Sequence, residues 1–276
     1  ASKNCFDYYK MGTEFGGIGP GKIADILILD DYKKIKINKV ILGGKIVVSN
    51  GKILEIIHSP KIPTWIQKTV KLPKLTTENF ILTSKNNTEI VNIISMKTEI
   101  VTKKDTTDLS VKDSNVMASY DKDIWKVTAM DRTFGSKTKT IGFLKNFGAD
   151  IGAFASTWSF HENDLIVIGS NEKDMADAAN KLVKSQGGLI VVKNRKTLAS
   201  LPFQMGGIIS TDSIDKVTTN FTKINDVLLD SGCKFKKPHL IPLFLPFLAL
   251  PDIRIMYSGI VDVKARKFIP TIQTTV

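Results

Sequence analysis

Cysteine is nearly missing from this 276-residue chain, where Cys5 and Cys233 stand alone. Two cysteines so far apart build no disulfide scaffold and have no zinc-ligand spacing, which suits a reducing, cytoplasmic setting. Histidine occurs three times, as His58, His161 and His239, each isolated. His-x-His, His-Glu-x-x-His and Cys-x-x-Cys are therefore all absent, and no metal or other cofactor is expected in this chain itself. Gly-x-Ser-x-Gly, Gly-x-Gly-x-x-Gly and the phosphate-binding loop are missing too, so neither a hydrolase elbow nor a nucleotide cradle is signalled. Long apolar runs are also lacking. The most apolar one, Leu240 to Leu250, is broken by Pro242 and Pro246 and stops at Pro251. A membrane-spanning helix needs about 20 apolar residues. The opening Ala1-Ser2-Lys3-Asn4-Cys5 has no basic segment followed by an apolar one, so neither membrane association nor a signal peptide is expected.

Arginine is the next scarcity. The chain carries a net charge of +12, yet only Arg132, Arg195, Arg254 and Arg266 are arginines. Sequence-specific contacts to phosphate and guanine favour the planar arginine fork, and the lysines are dispersed along the chain. The charge describes a solvated surface with a weak, salt-sensitive attraction to acidic partners, and no specific nucleic acid is expected.

What is present is punctuated, mixed α/β patterning. Ala1 to about Lys10 reads as the end of a helix, and Gly12 to Gly21 as turns. Ile23–Leu29 is a short apolar run that predicts a buried strand. Lys39–Leu42 and Lys45–Ser49 follow, and Asn50-Gly51 signals a hairpin leading into Lys52–Ile57. Periodicity weakens from Ser59 to Leu82, where Pro60, Pro63 and Pro73 suggest a linker. Beyond it, Glu89–Ser95, Glu99–Lys103, Asp123–Met130, Leu165–Gly169 and Gly188–Val192 predict strands. Two helices are expected: one capped by Asn171 and ending at Gly187, the other over Asp212–Asp230. The expected fold is α/β (mixed): a small β-rich lobe over 1–60, a linker over 61–82, and an α/β lobe over 83–276 with a sheet flanked by helices.

One polar cluster stands out, Ser159-Phe160-His161-Glu162-Asn163-Asp164, directly before the apolar run Leu165–Ile168. A histidine between carboxylates suits a general acid/base whose pKa is held up by Glu162 or Asp164. An exposed polar turn before a strand accounts for the same residues. Asp131-Arg132 poses the same choice between an ion-paired strand end and a site wall.

A longer ordered series carries a resemblance. Gly16-x-Ile18-x-Pro20-Gly21, the run Gly21 to Leu29, and Gly44-Lys45-x-Val47 resemble the segment that follows the barrel in amidohydrolase-superfamily enzymes. Thr69-Val70-Lys71-Leu72-Pro73, Gly152-Ala153-x-Ala155-Ser156, Gly169-x-Asn171 with Asp174-Met175-Ala176, Leu198 to Pro202 and Gly259 to Val263 resemble, in order, adenine deaminase of the bacterial and archaeal amidohydrolase type. The resemblance covers essentially the whole chain and corresponds to the later part of such an enzyme. It implies hydrolysis of adenine to hypoxanthine and ammonia by a divalent iron or manganese centre. That centre would sit in a barrel of about 250 residues that precedes this segment. It also implies an amidohydrolase barrel as partner, and the strands lacking their barrel-side neighbours imply a homo-oligomer or a bound partner.

Where the family carries Glu-Arg-His, this chain has Asp131-Arg132-Thr133. Where the family carries His-Asp-Ser-His-Asn, it has Phe160-His161-Glu162-Asn163-Asp164. Thr133, Phe160 and Asn163 thus stand at histidine positions, and His161 is displaced by one residue. The expected catalytic residues are His161, Glu162 and Asp131, with Arg132 and Asn163 on the substrate. Two functions follow: part of a deaminase that needs a separate barrel, or a degenerate relative that binds a purine or a protein without turnover.

Overall fold

The computed structural model describes residues 2–55, 61–160 and 163–273. The chain divides into two compact units, 1–61 and 62–276.

The first unit opens with the short helix α1 (Lys3–Tyr8). An antiparallel sheet follows, made of β1 (Ile26–Asp31), β2 (Lys36–Leu42), β3 (Lys45–Ser49) and β4 (Lys52–Ile53), in that spatial order. Both tight hairpins use two consecutive residues at positive φ: Gly43-Gly44 at 52° and 82°, and Asn50-Gly51 at 47° and 74°. That is the requirement of the turn type whose twist matches paired strands. β1 starts three residues later than the apolar run suggests, and it is not buried. Leu27, Ile28 and Leu29 are exposed, and no described residue of this unit is buried. The run is apolar because its sheet calls for a covering layer, and residues 2–55 do not supply one.

The second unit is built on a nine-stranded sheet. Its strands are β5 (Thr88–Met96), β6 (Thr102–Lys112), β7 (Asn115–Val116), β8 (Ile124–Met130), β9 (Lys139–Lys145), β10 (Ala153–Ser156), β11 (Leu165–Gly169), β12 (Gly188–Lys193) and β13 (Lys196–Pro202). The spatial order is β13-β12-β10-β11-β8-β9-β5-β6-β7, and β5 with β9 is its parallel pair. β6 differs from the expected Glu99–Lys103. It is an 11-residue strand rich in Thr, Lys and Asp that pairs with β5 from Met96↔Thr102 to Thr88↔Ser110. Its polar composition conceals it, because an outer strand with exposed faces has no apolar alternation to display.

Period-two alternation sends side chains into two cores. Ile166 and Ile168 of β11 point to one side, with Phe154, Leu189 and Val191. That side is covered by α3 (Ile214–Asp230), α4 (Leu240–Phe244) and the small sheet β14 (Ile253–Met256), β15 (Gly259–Asp262), β16 (Lys267–Ile269). Leu165 and Val167 point to the other side, where α2 (Glu172–Ser185) packs Met175, Ala178, Ala179 and Leu182. Asn171 caps α2 by accepting from the Asp174 N–H at 2.8 Å.

The stretch read as a linker is, over 70–80, a strap. Val70, Leu72, Leu75 and Phe80 are buried against α2. The strap's backbone is held by side chains of that helix. The Val70 N–H donates to Gln186 Oε1 at 3.1 Å, and Asn180 both accepts from the Leu75 N–H at 2.9 Å and donates to its carbonyl at 2.8 Å. An extended segment satisfied by helix side chains needs neither helical nor strand periodicity, which is why its sequence reads as loose.

Candidate functional site

The antiparallel register of β8 and β11 pairs Met130 with Leu165. The loop after Met130 and the loop before Leu165 therefore emerge side by side at one end of the large sheet. Asp131, Arg132, Thr133, Phe160 and Asn163 share this edge. His161 and Glu162, expected to be catalytic, lie outside the described residues, as does His58.

Asp131 is buried and fully engaged. Its carboxylate accepts from the N–H groups of Thr133, Phe134 and Ser136, each at 2.9 Å, and from the Ser136 hydroxyl at 2.5 Å. Burial works to raise its pKa but is outweighed by the Ser136 hydroxyl and the three N–H groups, which hold it below the usual carboxylate range. Such a carboxylate stays charged and organises the 131–136 loop. Its hydrogen-bonding capacity is spent on the protein rather than on a ligand.

Arg132 is buried beside it. Nη1 donates to the Gly206 carbonyl and Nη2 to the Thr157 carbonyl, both at 3.2 Å, while Nε has no acceptor among the described residues. Burial pushes its pKa down to about 10, against the stabilising charge of Asp164. Its own carbonyl accepts from the Lys71 N–H at 2.7 Å, which ties the strap to the edge. The Thr157 hydroxyl donates to the Gly207 carbonyl at 2.6 Å and accepts from the Gly188 N–H at 2.7 Å. Gly187 and Gly207 pack against each other so closely that a Cβ on Gly187 would lie 2.5 Å from the Gly207 Cα. The two residues expected on catalysis and substrate, Asp131 and Arg132, are thus brought together, and both are committed to the framework.

The flanks are aromatic. Phe160 packs on Phe244 and Phe247, with ring centroids 5.2 and 5.1 Å apart. Its N–H donates to the Leu243 carbonyl at 3.1 Å. Asn163 is exposed, with φ at 53°, a conformation asparagine tolerates well. His239 lies elsewhere. Its Nδ1 is 2.8 Å from Asn225 Oδ1 and its ring packs on Phe221; burial lowers its pKa. Among the described residues no group of three His, Cys, Asp or Glu side chains is placed to hold a metal.

Sequence reasoning missed a cavity of about 750 Å³ at the opposite end of the sheet, beside Tyr120, Asp123 and Asp174. Its carboxylates are tied into the walls. Asp123 accepts from Trp125 Nε1 and the Gly148 N–H, each at 2.9 Å. Asp174 accepts from the Asn194 and Arg195 N–H groups at 2.9 and 2.7 Å. Asp150 pairs with Lys193 at 2.8 Å. Gly152, Asn171 and Asp174 of the quoted motifs line it, but those motifs carry no sign of a cavity, because the lining comes from turns scattered over the chain.

Residues 99–267 match the family described as adenine deaminase C-terminal domain. Adenine deaminase of Cenarchaeum symbiosum (strain A) is 52% identical over 272 residues, covering 99% of this chain and 45% of that protein. Adenine deaminase of Clostridium botulinum (strain ATCC 19397 / Type A) is 31% identical over 269 residues, 96% of this chain and 45% of that protein. The adenine deaminase of Methanosphaera stadtmanae is 28% identical over 275 residues, with shares of 98% and 49%. The chain spans about half the length of the curated relatives it matches.

Proposed function

This chain belongs to the adenine deaminase family and corresponds to its carboxy-terminal part, and from that premise we propose that it works in the hydrolysis of adenine to hypoxanthine and ammonia. The observation that carries the reading is the 52% identity with the Cenarchaeum symbiosum adenine deaminase along 99% of the chain. In the reaction the oxygen of water bonds to C6 of the purine and the C6–N bond breaks. The amino group leaves as ammonia, and the ring retains one proton as hypoxanthine. A divalent iron or manganese, held by the upstream barrel that the family resemblance implies, would supply activation of the water.

The chain's share of the work lies at the edge where β8 ends and β11 begins. Asp131 and Arg132 act as positioning residues. One knots the 131–136 loop, and the other pins that loop to the 157 and 206 turns. Asn163 is exposed there and offers an amide, donor and acceptor at once, to a purine edge. His161 and Glu162, placed by sequence between Phe160 and Asn163, are assigned proton transfer to the leaving ammonia, since imidazole titrates near neutrality. The protein works in the cytoplasm, with the barrel as partner and as a homo-oligomer, and without nucleic acid. No described helix is long and apolar enough to cross a membrane.

The test joins the upstream portion of the Cenarchaeum symbiosum relative to this chain, loads manganese or iron, and follows adenine by chromatography. Hypoxanthine and ammonia in equal amounts are expected, with His161→Ala slowing turnover about 10²- to 10⁴-fold. A folded, metal-loaded protein that leaves adenine untouched overturns the reading.

A further inference from the structure

The motif end of the large sheet also leaves several large apolar side chains in water. Phe134 is 77% exposed and Trp65 73% exposed, and Ile209, Phe160 and Ile208 are exposed as well. Hydrogen bonds from backbone and side chains place their segments next to one another. The Gly206 N–H donates to the Ile66 carbonyl at 2.7 Å, which sets Trp65 beside the 205–209 turn. Arg132 Nη1 donates to the Gly206 carbonyl, which sets that turn beside the 131–136 loop bearing Phe134. The Thr157 hydroxyl bonds Gly207, which brings in the segment leading to Phe160.

The loops that carry this rim are rigidly held. Asp131 takes four hydrogen bonds from its loop, and the 205–209 turn is closed by Met205 and Ile209 exchanging backbone hydrogen bonds at 3.0 and 3.1 Å. Large aromatics presented on a fixed frame lose little entropy on burial, which is the composition of an interface centre rather than of a solvated loop. We propose that the rim formed by Trp65, Phe134, Phe160, Ile208 and Ile209 is the surface on which the upstream portion of the deaminase docks.

The occupant is argued from length and place. The relatives are more than twice as long as this chain, and the part matched in them is the C-terminal domain, so more than half of each lies upstream of it. The rim residues lie on the segments that carry Asp131 and Arg132 or are hydrogen-bonded to them. A body seated on it closes that edge from water and brings its own groups to it. The inference rests on the reading of the chain as the carboxy-terminal part of a deaminase.

The test uses this chain joined to the upstream portion of the Cenarchaeum symbiosum relative. The photo-crosslinking residue p-benzoylphenylalanine is placed at Phe134, at Trp65 or, as control, at Tyr120 beside the cavity at the opposite end of the sheet. Mass spectrometry is expected to map crosslinks from positions 134 and 65 onto the upstream portion of the same polypeptide, at least tenfold above those from position 120. Crosslinks to a second copy instead, or none in a protein that melts cooperatively, overturn the proposal. Adenine turnover on the same samples separates the two ideas. Turnover without crosslinks removes the docking surface and leaves the activity, whereas crosslinks without turnover do the reverse. A second measurement does not depend on crosslinking. Trp65→Ser/Phe134→Ser is expected to lower the melting temperature of the joined protein while leaving that of the chain alone unchanged. Equal shifts in both also overturn it.

Discussion

The guanidinium of Arg132 lies so close to Gly207 that a Cβ on Gly207 would sit 2.7 Å from Nη1, and Gly207 itself is at φ 73°. Steric room and backbone conformation both demand glycine there. Gly207→Ala is expected to destabilise the protein by about 1–3 kcal/mol through left-handed strain and displacement of the guanidinium. Arg132→Met leaves the Gly206 and Thr157 carbonyls without their donor, at about 1–3 kcal/mol for the buried Thr157 acceptor and less for the partly buried Gly206. Arg132→Lys is not expected to rescue it, since an ammonium does not reproduce the fork that spans two carbonyls. Urea midpoints decide. A wild-type midpoint for Arg132→Lys would mean that charge alone, and not geometry, is needed.

Acid is expected to weaken the fold through Glu172. This residue pairs with the buried Lys126 at 2.6 Å and accepts from Asn115 Nδ2 at 2.9 Å. Burial works to raise its pKa, but Lys126 and Asn115 outweigh it and hold the carboxyl below the usual glutamate value. A carboxylate depressed in the fold stabilises above its unfolded pKa and loses that contribution as pH falls through its folded value. The melting temperature should therefore decline from about pH 5 downward. Asp131, also depressed, acts in the same direction. Glu172→Gln strands a buried ammonium, at a cost of about 3–5 kcal/mol, and Lys126→Met/Glu172→Gln should recover most of it. A double variant no more stable than Glu172→Gln would refute this account of the pair.

Parts of this fold were legible because local chemistry and tertiary structure agree. Leu165–Gly169 is a strand with the bounds its apolar run suggests, and Asn171 caps α2 as its spacing to Asp174 implies. α3, capped by Ser213, starts at Ile214, two residues after the expected start at Asp212, a small difference at a helix boundary. β6 and the 70–80 strap were illegible for different reasons, one a polar outer strand and the other a segment with no strand ladder and only a short 3-10 turn over Thr77–Phe80. The site edge was legible only as two separate motifs. Their meeting depends on the Met130–Leu165 register, a long-range pairing with no local signal. The engagement of Asp131 by its own loop was also hidden, since an Asp-Arg strand end reads alike whether its carboxylate faces a ligand or its own loop.

Purified alone, the chain is expected to retain no stoichiometric iron, manganese or zinc after dialysis. Among the described residues Asp131 and Asp174 are saturated by backbone donors, and His239 is held by Asn225 against Phe221. A stable site needs about three or four converging ligands. Elemental analysis checks this. One equivalent of metal lost on mutating His58, His161 or His239 would contradict it.

The first unit should drive association. Leu27, Ile28, Ile37, Leu42 and Ile46 are exposed on its sheet. Apolar surface of this extent is rarely left in water, and β1 and β4 are sheet edges open to pairing. Sedimentation of the chain at micromolar concentration should reveal a dimer or larger species, and Leu27→Lys/Ile37→Lys should shift it toward monomer. A monodisperse monomer that binds no hydrophobic dye would show that the unit covers itself.

The last expectation concerns Thr133, Phe160 and Asn163, which the resemblance to the family implies stand at histidine positions. None of the three titrates near neutral pH, and Phe160 is part of an aromatic cluster with Phe244 and Phe247. Deamination requires a proton for the departing ammonia, and a well-placed imidazole supplies about 10²- to 10⁴-fold. In the joined protein, turnover through this edge should therefore be slow and limited to whatever His161 provides. Thr133→His is the most informative single change. It follows Arg132 in a loop already fixed by Asp131, so the new ring needs no rearrangement of the core. Phe160→His, by contrast, removes aromatic contacts and should lower the melting temperature as well. The rate of Thr133→His, divided by that of the parent, should rise as pH falls from 8 toward the imidazole pKa of about 6.5, where protonation equips the ring as an acid. A pH-independent ratio of one would mean that position 133 never touches the proton path and that the replaced histidines are dispensable.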